Sequence, residues 1–102
     1  ALNGNIFDPE VATIDNCVNT YGRSLTNADL YGPTCFGPML EQMNGYCESK
    51  AMEMSQYNQK YNIMLILTDG AIMDLEKTID QVVRSSDLPV SIVIIGVGTA
   101  DF

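Results

Sequence analysis

The sequence has no histidine and few bases: 5 lysines and arginines stand against 13 acids, giving a formal net charge of −8. The missing histidine excludes histidine-based catalytic triads and dyads, and zinc sites that use an imidazole. The scarcity of bases argues against nucleic acid as a partner, because no cationic patch exists to release phosphate counterions. It also disfavours direct docking on an anionic membrane. Cysteine is sparse. Cys17, Cys35 and Cys47 form no C-x-x-C pair and leave an odd count, so a disulfide framework or a cysteine zinc site is not expected. A reducing, cytoplasmic setting with buried or half-buried thiols is. No apolar run approaches the ~18 residues of a membrane span, and no basic amino-terminal signal region is visible.

What is present is globular. Apolar residues make up 46% and charged residues 18% of 102 residues, a composition suited to one small domain or part of a larger one. The chain opens at Ala1-Leu2-Asn3 and stops at Phe102 shortly after a strand signal, and it reads as a segment of a longer protein. Asp8-Pro9 has the form of a helix start, with Val11, Ile14, Val18 and Tyr21 at helical spacing and Gly22 as a stop. Leu30-Tyr31-Gly32-Pro33-Thr34 reads as an extended piece entering a loop. A second helix is expected from Pro38, with Met39, Leu40, Met43 and Tyr46 or Cys47 on one face. Its methionines serve as core filler. The polar stretch from Glu53 to Lys60 is a connecting loop.

The strongest pattern is strand, helix, strand. Tyr61-Asn62-Ile63-Met64-Leu65-Ile66-Leu67 is a nearly unbroken apolar run closed by Thr68-Asp69-Gly70. Asp74 is placed to cap a helix in which Leu75, Ile79, Val82 and Val83 share a face and Asp80 pairs with Arg84. Val90-Ser91-Ile92-Val93-Ile94-Ile95-Gly96 follows Pro89 as a second strand. Strands without alternation are expected to be buried on both faces of a parallel sheet, so the unit is a right-handed crossover and the fold class is α/β. Asp69 then falls just past the carboxyl end of a strand, where open α/β sheets bind ligands. A carboxylate beside Thr68 and Gly70 suits magnesium or manganese, and equally suits a cap on the next turn.

Leu30-Tyr31-Gly32-Pro33-Thr34, Leu65-Ile66-Leu67-Thr68-Asp69-Gly70 and the run from Leu88 to Gly98, with the opening Ala1-Leu2-Asn3 and closing Ala100-Asp101-Phe102, resemble the A domain of the copine family. That domain is a relative of the von Willebrand factor and integrin A domains. The likeness extends over residues 1–102. It implies a Rossmann-like parallel sheet flanked by helices, with a metal-ion-dependent adhesion site at its carboxyl edge. In such sites an Asp-x-Ser-x-Ser (or Asp-x-Thr-x-Ser) loop supplies most ligands, a threonine on a second loop and an aspartate on a third complete the set, and a partner's carboxylate reaches the cation. Thr34 in Tyr-Gly-Pro-Thr matches the threonine and Asp69 in Leu-Thr-Asp-Gly matches the aspartate. The implied ions are Mg2+ or Mn2+, with Ca2+ a third candidate.

The first ligand loop and its strand are expected upstream of Ala1. Neither Asp15-Asn16-Cys17 nor Asp87-Leu88-Pro89 replaces them, and Cys35 stands where copines commonly carry asparagine. A threonine and an aspartate alone are expected to hold magnesium weakly, since it demands near-octahedral geometry. The resemblance further implies a non-enzymatic module that engages intracellular proteins, in a cytoplasmic protein recruited to membranes. Membrane contact would come only through calcium-dependent, phospholipid-binding C2 domains outside this sequence. Exposed sheet edges allow self-association.

Rival chemistry fits less well. A haloacid-dehalogenase-type phosphatase needs Asp-x-Asp-Gly-Thr, but Leu67 stands at the nucleophile's place and Ala71 after Gly70. Gly96-Val97-Gly98 would need a third glycine and a following helix to make a dinucleotide fingerprint; with four residues after Gly98, the two glycines are read as a tight strand exit. Asp69, Asp74, Glu76 and Asp80 read as a helix amino terminus and a solvated face before they read as a calcium cluster. A metal-independent interaction scaffold is the remaining alternative.

Overall fold

The computed structural model describes residues 1–101. The chain forms two compact units, one over Ala1–Gly32 and a second beginning at Pro33.

In the first unit, helix α1 covers Ile14–Ser24 and a 3-10 turn follows at Leu25–Asn27. The Asp8-Pro9 start is not used, and asparagine side chains explain why. Asn3 Nδ2 donates to the Asp8 carbonyl at 2.7 Å, and Asn5 Oδ1 accepts from the Phe7 and Asp8 amides at 3.1 and 3.3 Å. These side-chain turns hold Asp8 in a loop. Thr13 caps α1 instead, its hydroxyl accepting from Asn16 N at 3.3 Å. Thr13 has φ 69°, a costly conformation for a β-branched residue. Gly22 lies within the helix and does not end it.

The second unit contains α2 (Gly37–Ala51), β1 (Asn62–Thr68), α3 (Leu75–Ser85) and β2 (Val90–Gly96). The strands pair in parallel, from Asn62 opposite Val90 to Thr68 opposite Gly96, with α3 as the crossover. The chain is therefore α/β, with helices and a two-stranded parallel sheet. Pro38 stands in the first turn of α2, where its missing N–H costs nothing. Phe36, Leu40 and Ile66 form the core, with Met64, Ile72 and Ile92 packed against it. Leu40 is 1% exposed, and burying such a side chain stabilises by about 1.5–3 kcal/mol.

Burial on both faces of the strands is not observed. Ile63, Leu65 and Leu67 of β1 and Val93 and Ile95 of β2 project from one face and are exposed. Helix α3 departs from expectation in the same way: Leu75, Ile79, Val82 and Val83 are exposed, while Thr78 and Ser85 are buried. The inward face of α3 carries the small polar side chains of Thr78 and Ser85, one heptad apart, with Gln81 and Arg84 bonded to α2. Only Cys47 is a buried thiol. Cys17, on a helix with no buried residue, and Cys35 are exposed. Among the described residues no helix is long and apolar enough to cross a membrane.

Candidate functional site

The site is built where β1 ends. Thr68, 8% exposed, is the last residue paired with β2, and its carbonyl accepts from Val97 N at 2.8 Å. Its hydroxyl donates to the Gly70 carbonyl at 3.2 Å and faces Gly70 N at 3.4 Å, folding the chain into a tight turn. Asp69 at the tip of that turn is exposed. Beside the turn lies a cleft of about 330 Å³ lined by Phe36, Thr68, Gly70, Leu75, Ile94 and Asp101. This is the carboxyl edge of the sheet, as the strand signals require.

Thr34 is half-buried in the segment that enters α2. Its carbonyl accepts from Met73 N at 2.9 Å. The segment carrying Thr34 is thus bonded to the segment that follows Asp69, and the bonds run through the Thr34 backbone carbonyl, Met73 and Asp74 and not through the Thr34 hydroxyl or the Asp69 carboxylate. Asp74 Oδ1 accepts from Phe36 N at 2.9 Å and Oδ2 from Gly37 N at 2.8 Å. The buried Thr78 hydroxyl donates to Asp74 Oδ1 at 3.1 Å.

Asp74 does precede α3, yet its carboxylate does not cap that helix's own amides; it serves the amino end of α2. Desolvation opposes ionisation of Asp74, but the two amides and the Thr78 hydroxyl outweigh it and hold the carboxyl below its ordinary value. Gly37 makes the approach possible: a Cβ there would lie 2.7 Å from Asp74 Oδ2 and 3.0 Å from Lys77 Cβ.

In the sequence Asp74 reads as a cap of its own helix, and nothing local marks Gly37 as its neighbour. One signal was available. Helix α2 begins after Phe36, which carries no capping oxygen, so its first amides must find an acceptor elsewhere in the chain.

Two further bridges join α2 to α3. Asn44, 1% exposed, donates to the Gln81 carbonyl at 2.9 Å and to Gln81 Oε1 at 3.1 Å. Arg84 takes Glu48 as its partner and not Asp80, with Nε–Oε1 at 2.8 Å and Nη2–Oε2 at 2.6 Å. The bidentate bond to Arg84 lowers the Glu48 carboxyl, against a smaller desolvation effect and with added help from the guanidinium charge.

Thr34 and Asp69 supply a hydroxyl and a carboxylate, the hard oxygen donors that magnesium and manganese take. Among the described residues, histidine, cysteine, aspartate and glutamate gather nowhere in a group of three or more fit to hold a metal. A cation at this edge would therefore draw its remaining ligands from water or another carboxylate, the usual habit of magnesium. In donor chemistry alone, a hydroxyl and a carboxylate suit such a site.

Comparison with known proteins gives the class. The family model described as Copine matches residues 1–102. The chain is 44% identical over 101 residues to Protein BONZAI 1 of Arabidopsis thaliana, covering 99% of this chain and 17% of that protein. It is 42% identical over 89 residues to Copine-A of Dictyostelium discoideum, covering 87% of this chain and 14% of that protein. It is 43% identical over 93 residues to Nicotinic receptor-associated protein 1 of Caenorhabditis elegans, covering 91% of this chain and 14% of that protein. The chain belongs to the copine family. It spans only 14–17% of the length of these relatives.

Proposed function

We propose that the chain is part of a non-enzymatic protein-interaction module of a copine, engaging partners through a divalent cation at the carboxyl edge of the sheet. Thr34 contributes a neutral hydroxyl and Asp69 a carboxylate, and Mg2+ or Mn2+ (or Ca2+) completes its coordination with water and a partner's carboxylate. With so few protein charges around it, the cation stays electron-poor and ready to accept that carboxylate. The observation that carries this reading is the joining of the Thr34 segment to the loop after Asp69, through Met73 N and the Asp74 carboxylate, at the end of β1. One relative bears in its name an association with a nicotinic receptor, which supports a protein as partner. Calcium-dependent phospholipid binding, and recruitment of a cytoplasmic protein to membranes, would belong to other parts of the whole copine.

A metal-independent scaffold is the second reading, favoured by the open apolar sheet face of Ile63, Leu65, Leu67, Val93 and Ile95. Manganese titration by calorimetry, with Asp69→Ala alongside, separates the two. Heat of binding in the protein that disappears in Asp69→Ala supports the cation site. Binding of a partner that survives both chelation and Asp69→Ala refutes it and leaves the scaffold.

A further inference from the structure

We infer that Asp74 is the positioning residue that sets the Thr34 segment against the Asp69 turn; the roles of the two positioned groups rest on the cation reading above. Asp74 lies in the same loop as Asp69, and its carboxylate grips Phe36 N and Gly37 N, directly after Thr34 and Cys35. Each oxygen accepts from a different amide, so the carboxylate fixes the direction of the first turn of α2 as well as its distance. Oδ1 is itself held by Thr78, 6% exposed. Met73, the preceding residue, donates its amide to the Thr34 carbonyl at 2.9 Å. Two consecutive residues thus tie the chain from the Thr34 carbonyl to the Gly37 amide. Gly37 completes the device, because any side chain there would meet the carboxylate at 2.7 Å.

The tie has a second effect. The amino end of a helix offers free amides and a partial positive charge to anions. Asp74 fills that end of α2 from within, so a carboxylate arriving from a partner finds the amides occupied. Removing the Asp74 carboxylate frees the entry to α2 and opens a competing place for anions beside Thr34.

The test uses backbone amide NMR on the protein and its Asp74→Ala and Asp74→Asn variants, with Mn2+ alone as the probe. In the parent protein, Mn2+ is expected to broaden the amides of Thr34 and Asp69 together. In Asp74→Ala, exchange at Met73 accelerates about tenfold or more as the tie opens. Broadening at Asp69 persists while that at Thr34 falls, and the strand amides of Leu65 and Ile94 stay protected. A residue that merely stabilised the fold would weaken both broadenings alike and leave their ratio unchanged. Gly37→Ala, which displaces the carboxylate without removing its charge, should give the same split. If Asp74→Ala loses strand protection, Asp74→Asn, which retains one acceptor oxygen, carries the comparison with a smaller change in the same direction. An unchanged Met73 exchange rate together with an unchanged Thr34-to-Asp69 ratio overturns the inference. If Mn2+ broadens neither residue in the parent protein, the cation reading fails, and Met73 exchange alone decides whether Asp74 holds the two segments.

Discussion

Replacing glycine with alanine inside helix α2 should have opposite consequences at two positions. At Gly45 an added Cβ meets nothing within 4 Å, so Gly45→Ala gains only the helix preference of alanine, about 0.8–1 kcal/mol. At Gly37 the same methyl would sit 2.7 Å from Asp74 Oδ2 and 3.0 Å from Lys77 Cβ. The carboxylate cannot swing aside freely, because the amides of Phe36 and Gly37 and the Thr78 hydroxyl all hold it. Overpacking of this kind costs about 1–3 kcal/mol, which exceeds the propensity gain over most of that range. Gly37→Ala should therefore lower stability by up to about 2 kcal/mol, and a loss of 1 kcal/mol in a domain this small moves the melting temperature by roughly 4–8 °C. Thermal unfolding followed by far-ultraviolet circular dichroism reads both variants side by side. Melting temperatures that rise at both positions would refute the reasoning, since they would mean that the Asp74 carboxylate moves away at no cost.

Leu40→Ala should destabilise the protein by about 2–5 kcal/mol, because the deleted atoms leave a cavity among Phe36, Ile66 and Ile92; urea unfolding measures it. Acid should weaken the fold in a defined window. Asp74 and Glu48 have carboxyls lowered from ordinary values of 3.8 and 4.5, so their contribution is complete above those values and is lost as pH falls through the lower values of the folded state. Unfolding midpoints measured from neutral pH downwards should drop below about pH 4, and the drop should be shallower in Asp74→Asn with Glu48→Gln. Thiol labelling under native conditions should modify the exposed Cys17 and Cys35 and spare the buried Cys47 until the protein unfolds. Burial raises the Cys47 thiol, with only a partial offset from the Asn62 side chain. Equal labelling rates at all three thiols would contradict the packing of α2.

The two strands and the helix between them were legible because each is written in adjacent residues. The apolar run ending at Leu67, the break at Thr68-Asp69-Gly70 and the second run from Val90 need no distant partner to be seen. The start of α2 was legible for the same reason, through Pro38. Features that depend on residues far apart in the chain were not. Asp74 looks like a local cap because nothing near it reveals that Phe36 leaves its own helix uncapped. Arg84 has an acid one turn back at Asp80, yet a bidentate fit to Glu48 on the neighbouring helix is stronger than a solvent-exposed pair along one helix. The apolar stripe of α3 suggests a core face, but the buried side chains of that helix are Thr78 and Ser85. Asp8-Pro9 failed as a helix start because the side chains of the preceding Asn3 and Asn5 capture the Asp8 backbone first. The pairing of Thr34 with Asp69 as candidate ligands came from family resemblance; the sequence alone offered only Asp69 at a strand end.

The connections between α2 and α3 also decide how the molecule yields to force. Two rods pinned at one point pivot like scissors. These two are pinned in three places along a parallel run, at Asp74 with Phe36 and Gly37, at Asn44 with Gln81, and at Glu48 with Arg84. Ties at three places along the run oppose both sliding and scissoring. A tug applied at the Asp69 turn reaches the entry to α2 with little lost travel. It is shared among three bonds of different chemistry (an anion on amides, an amide on a carbonyl and a forked ion pair), so high salt loosens the last of them most while the other two keep their grip.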